Sequence, residues 1–161
     1  MLNDVQIAAI FNREFSFEFN VRLIGGAAEP QYEPATAQYP ARLFYREDFA
    51  ASALHEIAHW CIAGSARRQL PDFGYCYIPP PRTAAEQAAF FSAELKTQAL
   101  EKCFAATAAV RFVPSVDNLD VPSGDFGERI EQQRILWEKF IASSPKSRAT
   151  RFTKALQCEV F

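Results

Sequence analysis

The stretch ALHEIAHWCIAG holds both histidines of the chain, His55 and His59, with Glu56 directly after the first. On a helix, positions i and i+4 share a face, so the two imidazoles can converge on one ion while Glu56 points about 100° away from His55. No third histidine exists, so a carboxylate or another oxygen donor must complete the coordination. Two His and one carboxylate with open positions is the ligand set of non-haem Fe(II) oxygenases, which use O2. It is equally that of zinc hydrolases of the His-Glu-x-x-His…Glu type. In the zinc reading Glu56 is the general base for water; in the iron reading it handles protons beside the metal.

The long helix that follows holds the carboxylates that could be the third ligand. Thr83 with Glu86 three residues later is a capping-box signature, predicting a helix that runs to about Ala109. At 100° per residue, Glu94 lies about 40° and Glu101 about 20° from Phe90, on a face that also holds Thr97 and Phe104. Two acids thus point toward the apolar side of one helix, about 10 Å apart along its axis, near Glu86. A buried carboxylate needs a partner, and a cation held by two inward histidines is one.

Asn3 or Asp4 caps a first helix to about Phe15, with Val5, Ala8, Ile10, Phe11 and Phe15 as its apolar stripe. VRLIG from Val21 reads as a strand ended by Gly25-Gly26, AEPQYEPATAQYP as a loop, and ARLFYR as a second strand. Asp48 is the expected N-cap of the histidine helix and Gly64 its stop. A polar turn, SARRQLPD, precedes an expected third strand, FGYCYI, closed by Pro79-Pro80-Pro81. Arg67-Arg68 in that turn read as solvated charges. The loop VPSVDNLDVPSGDFG separates the long helix from one over about 127–142, and a last helix, SRATRFTKALQ, follows Pro145. Three strands among five helical segments predict an α+β fold: a single domain over 1–161, with a small mixed β-sheet covered by helices.

Composition narrows the function further. A chain of 161 residues with 49% hydrophobic residues and fifteen Phe has enough apolar surface to fold without a metal or disulfide. A formal net charge of -2 gives no basic excess for nucleic acid or an anionic membrane. Cys61, Cys76, Cys103 and Cys158 are widely spaced in mostly apolar stretches, the pattern of reduced, buried thiols. MLNDVQIAAIFNREF lacks a basic n-region and a cleavage site, and no apolar run reaches the ~18 residues of a span, so a cytoplasmic monomer is expected.

The run ALHEIAHWCIAGSARRQLPDFGYCY, followed in order by ELKTQALE, DNLD and RFTKALQ, closely resembles the elongation factor P hydroxylase family. The resemblance implies oxygen insertion on a lysine of elongation factor P that already bears a β-lysyl group. It implies an iron-type metal, Fe(II), whose ligand positions fall on His55, His59 and Glu94. It also implies a fold like that of a bacterial metal-dependent ribonuclease of rRNA maturation, although two histidines do not supply that enzyme's three-histidine pattern. A long cationic substrate side chain makes Asp72, Tyr75 and Glu101 candidates to line its approach, since acids match ammonium groups and Tyr faces cover an apolar stem. A small zinc peptidase is the alternative reading of the same motif.

Overall fold

The computed structural model describes residues 1–75, 78–115 and 123–160. Helix α1 (Asp4–Phe19) begins at Asn3, whose Oδ1 accepts from the Gln6 backbone N–H while the Gln6 side chain accepts from the Asn3 N–H. It ends at Asn20, in the left-handed conformation that Asn tolerates. The helix outruns its expected end by a turn because Phe15 and Phe19 both pack on Trp60. Val5, expected on its inner stripe, is exposed instead.

Strands β1 (Val21–Ala27), β2 (Gln31–Glu33) and β3 (Ala41–Arg46) form one sheet in the order β1-β3-β2. β1 pairs parallel with β3, Leu23 opposite Leu43, and β2 pairs antiparallel with β3, Tyr32 opposite Leu43. The sheet is therefore small and mixed, as expected. Its register shifts between Ile24 and Ala27, at the two glycines. A Cβ on Gly25 would lie 2.5 Å from the Tyr45 ring, so only glycine lets that ring close over the strand.

The third strand is not the expected one. QYE, inside the proline-rich stretch read as a loop, supplies it. Phe73 and Gly74 of FGYCYI close a 3-10 segment, Pro71–Gly74, in which Asp72 and Phe73 have positive φ; Cys76 and Tyr77 lie outside the described residues. A strand of three residues flanked by prolines shows almost no alternation, which is why it escapes a pattern search.

Helix α2 (Ala50–Ile62) carries the histidines and packs on β3, α1 and the later helices α3 (Ala84–Ala108) and α5 (Arg148–Val160). Asp48 is not its cap: the N-cap is Phe49, without a side-chain bond. At the other end the chain leaves at Ala63, one residue before the expected Gly64. There Arg148 donates to the carbonyls of Trp60 and Ala63, and Arg68 donates to Ala63. Two guanidiniums thus satisfy the terminal carbonyls and complement the negative end of the helix, so Arg68 is anchored rather than merely solvated.

Helix α3 starts with the expected Thr83–Glu86 capping box, and α4 (Ser123–Ser143) takes up the end of the stretch read as a loop. The DNLD segment lies outside the described residues. The core centres on Trp60, Phe11, Phe15, Phe104 and Phe152, and a smaller cluster of Ala99, Phe126 and Ile130 joins α3 to α4. Cys103 is buried and Cys61 half-buried, but Cys158 is exposed, contrary to the reading of the thiols as buried. Among the described residues no helix is long and apolar enough to cross a membrane.

Candidate metal centre

Two facing helices build the centre. α2 presents His55 and His59 one turn apart, and α3 presents Glu94, Gln98 and Glu101 at i, i+4 and i+7, one face of a helix. His55 Nε2 and His59 Nε2 lie 3.1 Å apart, and His59 Nε2 is 4.0 Å from a Glu94 carboxylate oxygen, Oε1. Ligand atoms of His55, His59 and Glu94 all fall within 4.8 Å of one another. Two imidazole nitrogens bound to one ion at right angles would be about 3 Å apart, given metal–nitrogen distances near 2.1 Å. The donor set and its spacing therefore fit a divalent transition metal.

The surrounding bonds orient these donors. His55 donates from Nδ1 to Glu101 Oε2 at 2.8 Å, which turns Nε2 toward the centre. A carboxylate on the far nitrogen is the usual companion of a metal-binding imidazole. Glu94 Oε2 accepts from Gln98 Nε2 at 3.0 Å, while Gln98 also bonds both the carbonyl and the N–H of Ser115. Gln98 is buried, and sequence reasoning missed it. A polar residue four positions after Glu94 on the inward face was the available signal.

Burial opposes a charge on His55, but the hydrogen bond and charge of Glu101, with Glu56 and Glu94, outweigh it and raise the imidazole to about 9. His59 is held well below its ordinary value, by burial and by the charge of His55. Burial raises Glu56 to about 7, with His55 pulling the other way and Glu94, Asp72 and Glu101 adding to the rise. Several acids crowded around two imidazoles form a pocket of negative potential that a cation relieves.

A cavity of about 920 Å³ opens beside these residues. Glu56, His59 and Glu94 line it, as do the charged Arg67, Asp72, Arg82, Glu86 and Lys96, and Tyr32, Phe73, Tyr75 and Phe90 contribute aromatic walls. The Tyr32 ring stacks on Phe73 at 4.1 Å, and Tyr75 lies 5.9 Å from the His59 ring with the Arg67 guanidinium over it at 4.7 Å. Asp72 and Tyr75 thus both line the cavity. Asp72 has a second engagement, its Oδ1 accepting from the Tyr32 N–H at 2.9 Å. Glu101 does not line the cavity; its contact is with His55, a different place from the substrate approach predicted for it.

Residues 10–160 match the sequence profile of a family described as elongation factor P hydroxylase. The chain belongs to the elongation factor P hydroxylase family. It is 44% identical over 155 residues to the elongation factor P lysine hydroxylase of Haemophilus influenzae, covering 93% of this chain and 85% of that protein. Hydroxylase membership gives the His-His-Glu cluster a chemical context, and all three of its residues lie in the region that matches the family.

Proposed function

We propose that the chain is a cytoplasmic, monomeric protein hydroxylase that inserts an oxygen atom into a β-lysyl-modified lysine of elongation factor P. The observation that carries this reading is its 44% identity, across most of both chains, to a relative named elongation factor P lysine hydroxylase. His55, His59 and Glu94 would hold an iron-type metal, and that metal, when bound, supplies the O2 chemistry needed to break an unactivated C–H bond.

The chain's own residues handle the rest. The Glu101 bond fixes the His55 ring and Gln98 fixes Glu94, so the donors need little reorganisation to bind the ion. Glu56 lines the cavity beside His59 with a carboxyl that burial raises to about 7, suiting it to hold or pass a proton near neutrality. The aromatic walls take the aliphatic stem of a long side chain, and Asp72 offers an acid to its ammonium groups. A zinc peptidase using the same motif is not favoured, because the relatives are hydroxylases.

Intact-mass analysis of β-lysylated elongation factor P, incubated with the protein, Fe(II) and a reductant, tests the reading. A gain of one oxygen atom is expected. An unchanged mass with metal demonstrably bound would overturn it.

A further inference from the structure

Beside the cavity runs an open groove of about 620 Å³. One wall is α4, with Leu136, Trp137 and Phe140; the other includes Lys96 on α3, Ile62 at the end of α2, and the start of α5. Ile62 and Lys96 line both the groove and the metal-site cavity, so the two depressions share a wall. Leu136 is 55% exposed and Phe140 43%, which places two large apolar side chains in water on one turn of helix.

The charge of the groove is one-sided. Among the described residues its lining contains Lys96, Lys146 and Arg148 and neither Asp nor Glu, on a chain whose formal net charge is -2. Arg148 is engaged with the end of α2, whereas Lys96 and Lys146 have no ion-pair partner among the described residues. On α4, Glu131 and Glu138 are already paired, with Lys102 and Arg134.

We propose that this groove docks the body of the protein substrate, taking an acidic segment that carries an apolar side chain, away from the target lysine. The proposal rests on the reading of the neighbouring site as a protein hydroxylase. A cavity that receives one side chain cannot tell one protein from another; contacts made at a distance from the reacting atoms can. Leu136 and Phe140 stand out along an open groove, so a protein surface covers them and a small molecule does not. The unpaired lysines match carboxylates on that surface. Binding energy of this kind is the same before and during the reaction, so its loss appears in KM and not in kcat.

The double variant Phe140→Ser/Lys146→Glu tests this, with Lys146→Glu alone as a second probe should the pair disturb the fold. Hydroxylation of intact modified elongation factor P is compared with that of a short peptide carrying the same modified lysine. Affinity for the intact factor is measured in parallel by fluorescence anisotropy, which needs no turnover. The expected result is a KM for the intact factor raised on the order of tenfold, an unchanged kcat, unchanged peptide kinetics and a matching loss of affinity. Unaltered affinity and KM for the intact factor would overturn the proposal, as would an equal loss on peptide and protein. So would a wild-type dimer that the variant dissociates with factor affinity intact, since the groove would then join two copies of the chain. Variant-sensitive binding without oxygen transfer by the wild-type protein would refute the proposed chemistry and still support the docking surface.

Discussion

His55 and Glu101 meet across the interface of α2 and α3, Nδ1 to Oε2 at 2.8 Å. The bond fixes the tautomer and swing of the imidazole, leaving Nε2 the free donor 3.1 Å from that of His59. It also gives a buried carboxylate its partner. An acid that from sequence is a contact for substrate is, in the fold, the partner of His55, which makes it a positioning residue if His55 is the ligand proposed above.

Glu101→Ala should therefore lower metal affinity by about 10- to 100-fold, as read by competition with a chromogenic chelator. Glu101→Gln, which keeps an acceptor but loses the charge, should lie between. At saturating metal the KM for substrate should be unchanged in both. Normal metal affinity with a raised KM would return Glu101 to the substrate approach.

Glu94 and the Gln98 that donates to its carboxylate predict a graded series. Glu94→Ala should abolish metal retention and turnover together, because two imidazoles alone hold an ion weakly. Gln98→Ala should keep a weaker site, since it removes the bond that orients Glu94, and should also loosen Ser115. Equilibrium dialysis of the three proteins gives the order wild type, Gln98→Ala, Glu94→Ala. Full metal retention by the Glu94 variant would mean that another acid completes the site.

Much of this centre is legible in the sequence because it is local. Helical spacing puts His55 with His59, and Glu94 with Glu101, on shared faces before any packing is known. The capping box at Thr83 likewise declares its helix. What escapes depends on contacts between distant segments. Nothing near Gly64 announces that Arg148, 85 residues after Ala63, will cap α2, nor does FGYCYI reveal that Phe73 will turn to stack on Tyr32. The depth of Glu101 behind His55 depends on how α3 meets α2, and periodicity gives only the face.

Removing the metal should leave the fold standing. Trp60 and its aromatic neighbours on α1, together with Phe104 and Phe152, form a core that does not use the ligands. His59→Ala should keep its helical circular dichroism while losing metal, and adding metal should raise the Tm of the wild type and not of the variant. Collapse of the helical signal in the variant would show that the site is needed for folding.

In the metal-free protein the folded His55 titrates at about 9 against an ordinary 6.5. A folded value above the unfolded one adds stability that is fully present below 6.5 and is lost as pH rises through about 9. Burial of His59 and Glu56 acts up to about 7, and burial raises the thiols of Cys61 and Cys103 from 9.0 to about 12, which adds a loss beginning near 9, so the window between about 7 and 9 reports mainly His55. The Tm of the metal-free protein should fall between pH 7 and 9, and Glu101→Ala should flatten that fall. An equal slope in both proteins would show that the pair does not govern it.

Asp72 does two things at once, and substitutions can separate them. Its Oδ1 accepts from the Tyr32 N–H, which ties the 3-10 segment to β2, and it lines the cavity proposed to receive the cationic side chain. Asp72→Asn keeps an acceptor oxygen for Tyr32 and removes the charge, so it should raise KM with little change in Tm. Asp72→Ala removes both and should also cost about 1 kcal/mol of stability through the lost hydrogen bond. Tyr75 provides the comparison, because its ring, half exposed beside His59, supplies a surface and no charge. Tyr75→Phe should therefore behave as wild type, while Tyr75→Ala raises KM several-fold at constant kcat. If Asp72→Asn leaves KM untouched while Asp72→Ala raises it only as far as stability falls, Asp72 acts through the fold alone and the ammonium group is met elsewhere on the cavity wall.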